Sequence, residues 1–173
     1  MEHVILVDEG DSEIGTMEKL EAHQKGLLHR AFSILIFNSK GELLLQKRAA
    51  SKYHSGGLWT NTCCSHPVMG EPVKLTAQRK LKQEMGMEVP LNFSHKFIYK
   101  AYLDNDLIEH EFDHVFIGIS DEKPIVNEQE AEDWKFASLD NIRSEMTRNP
   151  EAFTSWFKII MQQPEINAVV STQ

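Results

Sequence analysis

The sequence predicts an α+β fold, a mixed β-sheet core flanked by helices, in one domain spanning residues 1–173. Strand-like runs stand on both sides of a single amphipathic stretch, and helical periodicity returns only near the C-terminus. No repeat, low-complexity stretch or Pro/Gly-rich linker divides the chain. A hydrophobic content of 41% supplies enough apolar surface for one sizeable core.

In chain order, HVILVDEG is a short apolar run that stops at an acidic Gly turn, as a strand does. IGTMEKLEAHQK moves towards helical or irregular spacing. AFSILIFNSKGELLLQKR places two strand-like runs around Asn38-Ser39-Lys40-Gly41, a hairpin turn signal. EPVKLTAQRKLKQEMGM sets Val73, Ala77, Leu81 and Met85 four apart with Gly86 at the stop, which predicts an amphipathic helix with a C-terminal glycine. HKFIYKAYL and IEHEFDHVFIGIS read as strands, and DWKFASLDN as a strand entering an Asp or Asn helix cap. Helices are expected over about 138–148 and 153–161, the second closed by Pro164, with NAVVSTQ fraying.

A net charge of -8 argues against a nucleic-acid surface, because phosphate binding needs a basic face. Any anionic ligand must meet a local cationic pocket. Neither a signal-like segment nor an 18-residue apolar run is present, so the expectation is a cytoplasmic protein that does not span a membrane. Cys63 and Cys64 are adjacent, and a bridge between neighbours would strain disulfide geometry, so reduced thiols are expected. Two cysteines cannot make a four-cysteine zinc site; zinc would need His or carboxylate help.

His23, His29, His66, Glu109 and Glu111 are each available to a divalent metal. Glu109 and Glu111 lie two apart in a strand, so both carboxylates share one face while His110 and Phe112 take the other. A buried pair of carboxylates needs a cation or a shared proton. His54, His95, His110 and His114 read as ordinary surface or hydrogen-bonded histidines. A cation near Cys64 would lower its thiol pKa, whereas apolar burial or carboxylates would raise it, and spacing alone decides neither. Lys19, Lys47, Arg48 and Lys52 are solvated charges unless they converge on a diphosphate. Trp59 and Trp156 default to core aromatics, although a tryptophan over a pocket can stabilise a carbocation through its π face.

From Ser65 to Met87 the chain reads S-x5-E-x7-R-K-L-K-Q-E-M-G-M, which resembles the Nudix signature G-x5-E-x7-R-E-U-x-E-E-x-G-U. Glu71, Arg79, Leu81, Glu84, Gly86 and Met87 match; Ser65, Lys80 and Gln83 depart. Two of the three glutamates that hold hydrolytic metals in the family are thus replaced by Lys80 and Gln83. The remaining motifs resemble the type 1 isopentenyl-diphosphate isomerase branch: E-K-x-x-x-H at Glu18 to His23, then His29, L-x-x-x-R-A-x-S-K ending at Lys52, W-T-N-x-x-C-x-H-P at Trp59 to Pro67, and E-x-E at Glu109 and Glu111.

The resemblance implies a Nudix-type fold and a 1,3-allylic proton shift between isopentenyl and dimethylallyl diphosphate through a tertiary carbocation. It implies Cys64 and Glu111 as the proton-transfer pair, Tyr99 as a hydrogen-bond partner near Glu111, and Trp156 against the cationic centre. It also implies one divalent metal (Mn2+, Mg2+ or Zn2+) on His23, His29, His66, Glu109 and Glu111, and a second Mg2+ that arrives with the diphosphate at Glu84. Lys19, Arg48 and Lys52 match its diphosphate contacts, with Lys80 where the family often has arginine. The expected partner is a small-molecule prenyl diphosphate, and the expected assembly a monomer or weak homodimer. A Nudix hydrolase of a diphosphate substrate is the alternative. Cys63 has no implied role.

Overall fold

A computed structural model describes residues 1–171. Nine strands form one mixed sheet: β1 (His3–Val7), β2 (Glu13–Glu18), β3 (His29–Phe37), β4 (Glu42–Arg48), β5 (Trp59–Thr60), β6 (Cys63–Ser65), β7 (Asn92–Tyr102), β8 (Ile108–Ile119) and β9 (Ala131–Ser138). Five helices accompany them among the described residues: α1 (Lys19–Lys25), α2 (Val73–Met85), α3 (Leu139–Arg148), α4 (Ser155–Ile160) and α5 (Pro164–Ser171). The predicted α+β class and mixed sheet are present. IGTMEKLEAHQK resolves into β2 followed by α1, with the Glu18 carboxylate accepting from the backbone amides of Leu20 and Glu21 as an N-cap.

β3 is the organising strand. Its alternation splits the core: Leu35 and Phe37 join one buried cluster with Val115, Trp156, Phe157 and Ile160, while Phe32, Ile34 and Ile36 join another with Ala77, Leu81 and Met85. Helix α2 therefore covers one face of the sheet, and α3 to α5 the other. β3 runs parallel to β8 over its whole length, from His29↔Glu111 to Phe37↔Ile119. Its remaining pairings pass from β1 at His29 to β6 at Phe32–Ile34 and β4 at Phe37.

The expected hairpin thus exists only at its tip. Asn38 builds the turn, its Oδ1 accepting from the amides of Lys40 and Glu42 at 3.1 and 2.9 Å, with Gly41 at φ 77°. Only Phe37↔Leu43 then pairs β3 with β4. The strands part because residues 59–65 wedge between them, β5 pairing with β4 and β6 with β3. Thr62 bridges the gap: its Oγ1 accepts from Ile36 N at 3.0 Å and donates to Leu44 O at 2.6 Å. Side-chain hydrogen bonds thereby replace the missing ladder.

Helix α2 ends as expected at Gly86, φ 63°, where an added Cβ would lie 2.7 Å from Ile125 O. Ser138, rather than an Asp or Asn, caps α3, accepting from Asn141 N at 3.2 Å. Pro164 does not close the C-terminal helical region but opens α5, where a first-turn proline loses no helical hydrogen bond. Of the tail expected to fray, residues 167–171 are helical; residues 172 and 173 lie outside the described residues. Among the described residues no helix is long and apolar enough to cross a membrane.

Candidate active site

Sheet register builds the site. In the pairing of β8 with its neighbours, Glu111 stands opposite His29 of β3 and Tyr99 of β7. Glu111 Oε2 consequently meets His29 Nε2 at 3.1 Å, and the Tyr99 hydroxyl donates to Oε1. His66, just beyond β6, brings its Nε2 to 2.9 Å from the same Oε2. His23 on α1 comes within 3.9 Å of Glu109 Oε1. As the alternation predicted, Glu109 and Glu111 share a face; that face is buried, each residue being 5% exposed.

The histidines are prepared to bind a cation. His23 Nδ1 lies 2.7 Å from Lys19 O and His29 Nδ1 2.9 Å from Leu27 O. A carbonyl only accepts, so each Nδ1 carries hydrogen and each Nε2 presents a lone pair when the ring is neutral. A neutral His29 would then set a lone pair against Glu111 Oε2, which is repulsive unless a proton or a metal lies between them. His23 Nε2 and Glu109 Oε2 are buried with no hydrogen-bond partner. The donor set therefore fits a divalent cation. Ligand atoms of His23, His29, His66 and Glu111 lie within 4.8 Å of one another, as do those of His23, His54 and Glu109. The five expected ligands come together, but Glu109 joins through the second group, which contains His54.

A cleft opens beside this cluster and is lined by Cys64, Trp156, Glu84, Glu109, Glu111 and His66. Lys19, Arg48, Lys52 and Lys80 line it too, so the cationic pocket demanded of an acidic protein is present. Two of its lysines are already paired, Lys19 with Glu2 at 2.8 Å and Lys52 with Glu130 at 2.5 Å. The Arg48 guanidinium carbon sits 5.1 Å from the Trp156 ring centre, and Arg48 also donates to His54 O at 3.1 Å. One face of Trp156 is thus already in contact with a cation.

β6 pairs Cys64 with Ser33 and Cys63 with Ile34, so the adjacent cysteines point to opposite faces. Cys64 faces the cleft. Cys63, fully buried, packs with Ala77 and Leu81 beneath α2. The Trp156 indole N–H donates to Cys64 Sγ at 3.3 Å, and the thiol donates to Asn61 Oδ1 at 3.3 Å.

Burial, reinforced by the charge of Asp113, pushes the Cys64 thiol up to about 12, so burial outweighs nearby cations. Burial alone would raise Glu111, yet the hydrogen bonds from His29 and His66 hold it well below the ordinary carboxylate range. Burial and then the Glu111 charge push Glu109 up to about 7. Burial and Glu130 raise Glu84 to about 7 as well. Tyr99 is 6% exposed and does not line the cleft; it reaches the site only through Glu111.

Sequence reasoning missed several residues. His54, placed among ordinary histidines, is 5% exposed, lines the cleft, and has its pKa depressed to about 3 by burial and then by Arg48. Its position two residues after Lys52 was the only available signal, and the loop that folds it back over His23 has no periodicity. Ser33 donates to Asp113 Oδ2 at 2.7 Å, and Asp113 continues the Glu109, Glu111 alternation by one step. Glu2 and Glu130 are distant in sequence, yet both line the cleft and pair with its lysines Lys19 and Lys52. His95, His110 and His114 stay outside the cleft lining.

A family model described as NUDIX domain matches residues 27–157. A protein of Photorhabdus laumondii named isopentenyl-diphosphate Delta-isomerase 2 is 52% identical over 160 residues, covering 92% of this chain and 90% of its own. An isopentenyl-diphosphate Delta-isomerase of Serratia proteamaculans is 53% identical over 161 residues, covering 93% and 90%. A crystal structure from Deinococcus radiodurans shares the fold with a TM-score of 0.78 over 93% of this chain and 98% of that one, at 17% identity. With the family model matching well over half of the chain and relatives above 50% identity over most of it, the chain belongs to the Nudix family and, within it, to the isopentenyl-diphosphate Delta-isomerases.

Proposed function

We infer that residues 1–173, acting as one unit, interconvert isopentenyl diphosphate and dimethylallyl diphosphate. The observation that carries this reading is the meeting of Cys64, Glu111 and Trp156 in one cleft rimmed by Lys19, Arg48, Lys52 and Lys80. The reaction adds a proton to the terminal methylene carbon and removes one from C2, leaving the atom count unchanged. It needs two proton-transfer groups around a dry pocket and a stabiliser of the tertiary cation between the steps.

Cys64 and Glu111 are those groups, carried by β6 and β8 on either side of β3. Each gives or takes one proton per turnover, and the reverse reaction exchanges their roles. Tyr99 orients the Glu111 carboxylate. The indole of Trp156, which lines the cleft and already meets the Arg48 guanidinium, supplies the π system for the cation. Lys19 and Lys52 hold the diphosphate by exchanging Glu2 and Glu130 for it, while Arg48 and Lys80 add charge. His23, His29, His66, Glu109 and Glu111 would hold one Mn2+, Mg2+ or Zn2+, and Glu84 a Mg2+ accompanying the diphosphate. When bound, the first cation neutralises the buried carboxylates and tunes the acidity of Glu111. Diphosphate hydrolysis is disfavoured by Lys80 and Gln83, which stand where the signature places two metal-binding glutamates.

The test is incubation of the protein with isopentenyl diphosphate and Mg2+ in deuterated water. Deuterium in dimethylallyl diphosphate with no phosphate released is the expected result. Cys64→Ala and Glu111→Gln should each lower turnover by roughly a hundredfold or more, as loss of an acid or base does. Near-normal turnover in either variant would refute the assigned roles.

A further inference from the structure

The thiol of Cys64 closes a ring of buried hydrogen bonds. Cys64 donates to Asn61 Oδ1 at 3.3 Å and accepts from Trp156 Nε1 at 3.3 Å. The Asn61 amide cannot be turned over, because its Nδ2 donates to the carbonyls of Ile34 at 3.1 Å and Cys63 at 3.0 Å. Oδ1 therefore faces the thiol, and only accepts. It also takes the Thr60 hydroxyl at 2.9 Å. Thr60 Oγ1 in turn accepts from the Thr154 hydroxyl at 2.9 Å. Thr154 caps α4, its Oγ1 accepting from Phe157 N at 3.3 Å.

The Asn61 carbonyl oxygen fixes the direction of the whole chain. Because Oδ1 only accepts, Thr60 spends its one hydrogen on it and must accept from Thr154, whose Oγ1 also accepts from Phe157 N–H. Thr154 and Trp156 are two residues apart on one short helix, so the circuit returns to the sulfur. Thr60, Asn61 and Thr154 are at most 1% exposed, so water does not stand in for any link. None of the three lines the cleft.

We propose that Asn61 is a positioning residue for Cys64, and that the Thr154–Thr60–Asn61 chain ties the direction of the thiol to the seating of α4 and hence of Trp156. The inference rests on the isomerase reading. A thiol rotates about one bond and makes weak hydrogen bonds, so alone it would populate several rotamers. Here its hydrogen and one lone pair are both engaged, which holds the remaining lone pair at a fixed angle to the cleft. The proton-transfer group and the cation stabiliser are thereby aligned by one set of contacts made without substrate.

Asn61→Ala strands the Ile34 and Cys63 carbonyls and risks misfolding, so the decisive variant is Thr60→Val, which keeps the shape and removes the central hydroxyl. Its kcat is expected to fall about tenfold, the worth of roughly one hydrogen bond, with KM for isopentenyl diphosphate within about twofold. Thr60→Ser should restore kcat, and the alkylation rate of Cys64 by iodoacetamide should change in Thr60→Val but not in Thr60→Ser. A role limited to stability would move the melting temperature and leave the alkylation rate of folded protein unchanged. Wild-type kcat and alkylation rate in Thr60→Val, or a KM that rises in step with the loss of kcat, overturns the proposal while leaving the isomerase reading intact. If the unmodified protein makes no dimethylallyl diphosphate, the isomerase reading falls and this inference with it.

Discussion

Tyr99→Phe isolates the support of Glu111 from its chemistry. The hydroxyl is buried, donates to Glu111 Oε1, and touches the cleft nowhere else, while Oε2 keeps its contacts with His29 and His66. The substitution removes one oxygen atom and one charge-assisted hydrogen bond, worth about 1.5–3 kcal/mol. If that bond holds the carboxylate in its reactive orientation, the same energy appears in the barrier, about a 10- to 150-fold loss of kcat. KM should change by less than about threefold, because the lysines proposed to meet the diphosphate are untouched. The bond favours the ionised carboxylate, so its loss raises the Glu111 pKa and moves the acidic limb of the rate profile to higher pH. Folding should lose about the same energy, roughly 3–10 °C of melting temperature for a chain of this size. Steady-state isomerisation from about pH 3 to 9 beside a thermal melt measures all of these. A variant with wild-type kcat and an unmoved acidic limb would refute the reasoning, and a large rise in KM would mean that Tyr99 reaches the substrate.

His54 binds fewer protons folded than unfolded between about pH 6.5 and 3, so its contribution to stability is complete above pH 6.5 and is lost as pH falls towards 3. At pH 5 the loss is about 2 kcal/mol, from roughly 1.5 pH units at 1.36 kcal/mol each, and His54→Gln should flatten that part of the urea-unfolding profile. Chelation should lower the melting temperature and Mn2+ or Zn2+ restore it, because His23 Nε2 and Glu109 Oε2 lack partners otherwise; about 2.7 kcal/mol is expected at a hundredfold excess over Kd. His23→Ala should weaken that response at least tenfold in metal concentration. Cys63→Ala should cost about 1 kcal/mol by urea denaturation, since a small side chain leaves a small void under α2, while kcat stays within about twofold. A large loss of kcat there would mean that the two cysteines are not separated by strand alternation.

Local rules made much of the fold legible. Gly86 ends α2 and Asn38 builds its turn because each depends on neighbours within a few residues. Pairing depends on competition between distant segments, and there the reading failed. Asn38–Gly41 specifies a turn, but the run of β3 and β4 is decided by the wedge of residues 59–65, whose Thr62 and Gln46 contacts are invisible locally. The site divides the same way. Spacing of two placed Glu109 and Glu111 together, and family motifs supplied Cys64, His23, His29 and His66. His54, Glu2 and Glu130 lie in loops or at a terminus, where no periodicity reports which way a side chain turns.

The wedge also explains why two adjacent cysteines have such different settings. Had β3 and β4 paired throughout, no backbone would lie between them to carry a side chain into the cleft from below Trp156. Their separation leaves backbone groups that residues 59–65 must satisfy, and Thr62 and Asn61 do so with side-chain hydrogen bonds to β3, β4 and β6, while Gln46 of β4 donates to Thr62 O. Pairing of β6 with β3 then forces alternation on two neighbours that differ by nothing but position: Cys63 must enter the core beneath α2, and Cys64 must face the cleft. The same insertion sets His66 beside Glu111, because one further step beyond Ser65 carries the chain past the end of β6. One local failure of hairpin pairing thus positions the cleft thiol of Cys64, its amide partner Asn61 and the Glu111 partner His66 within six residues.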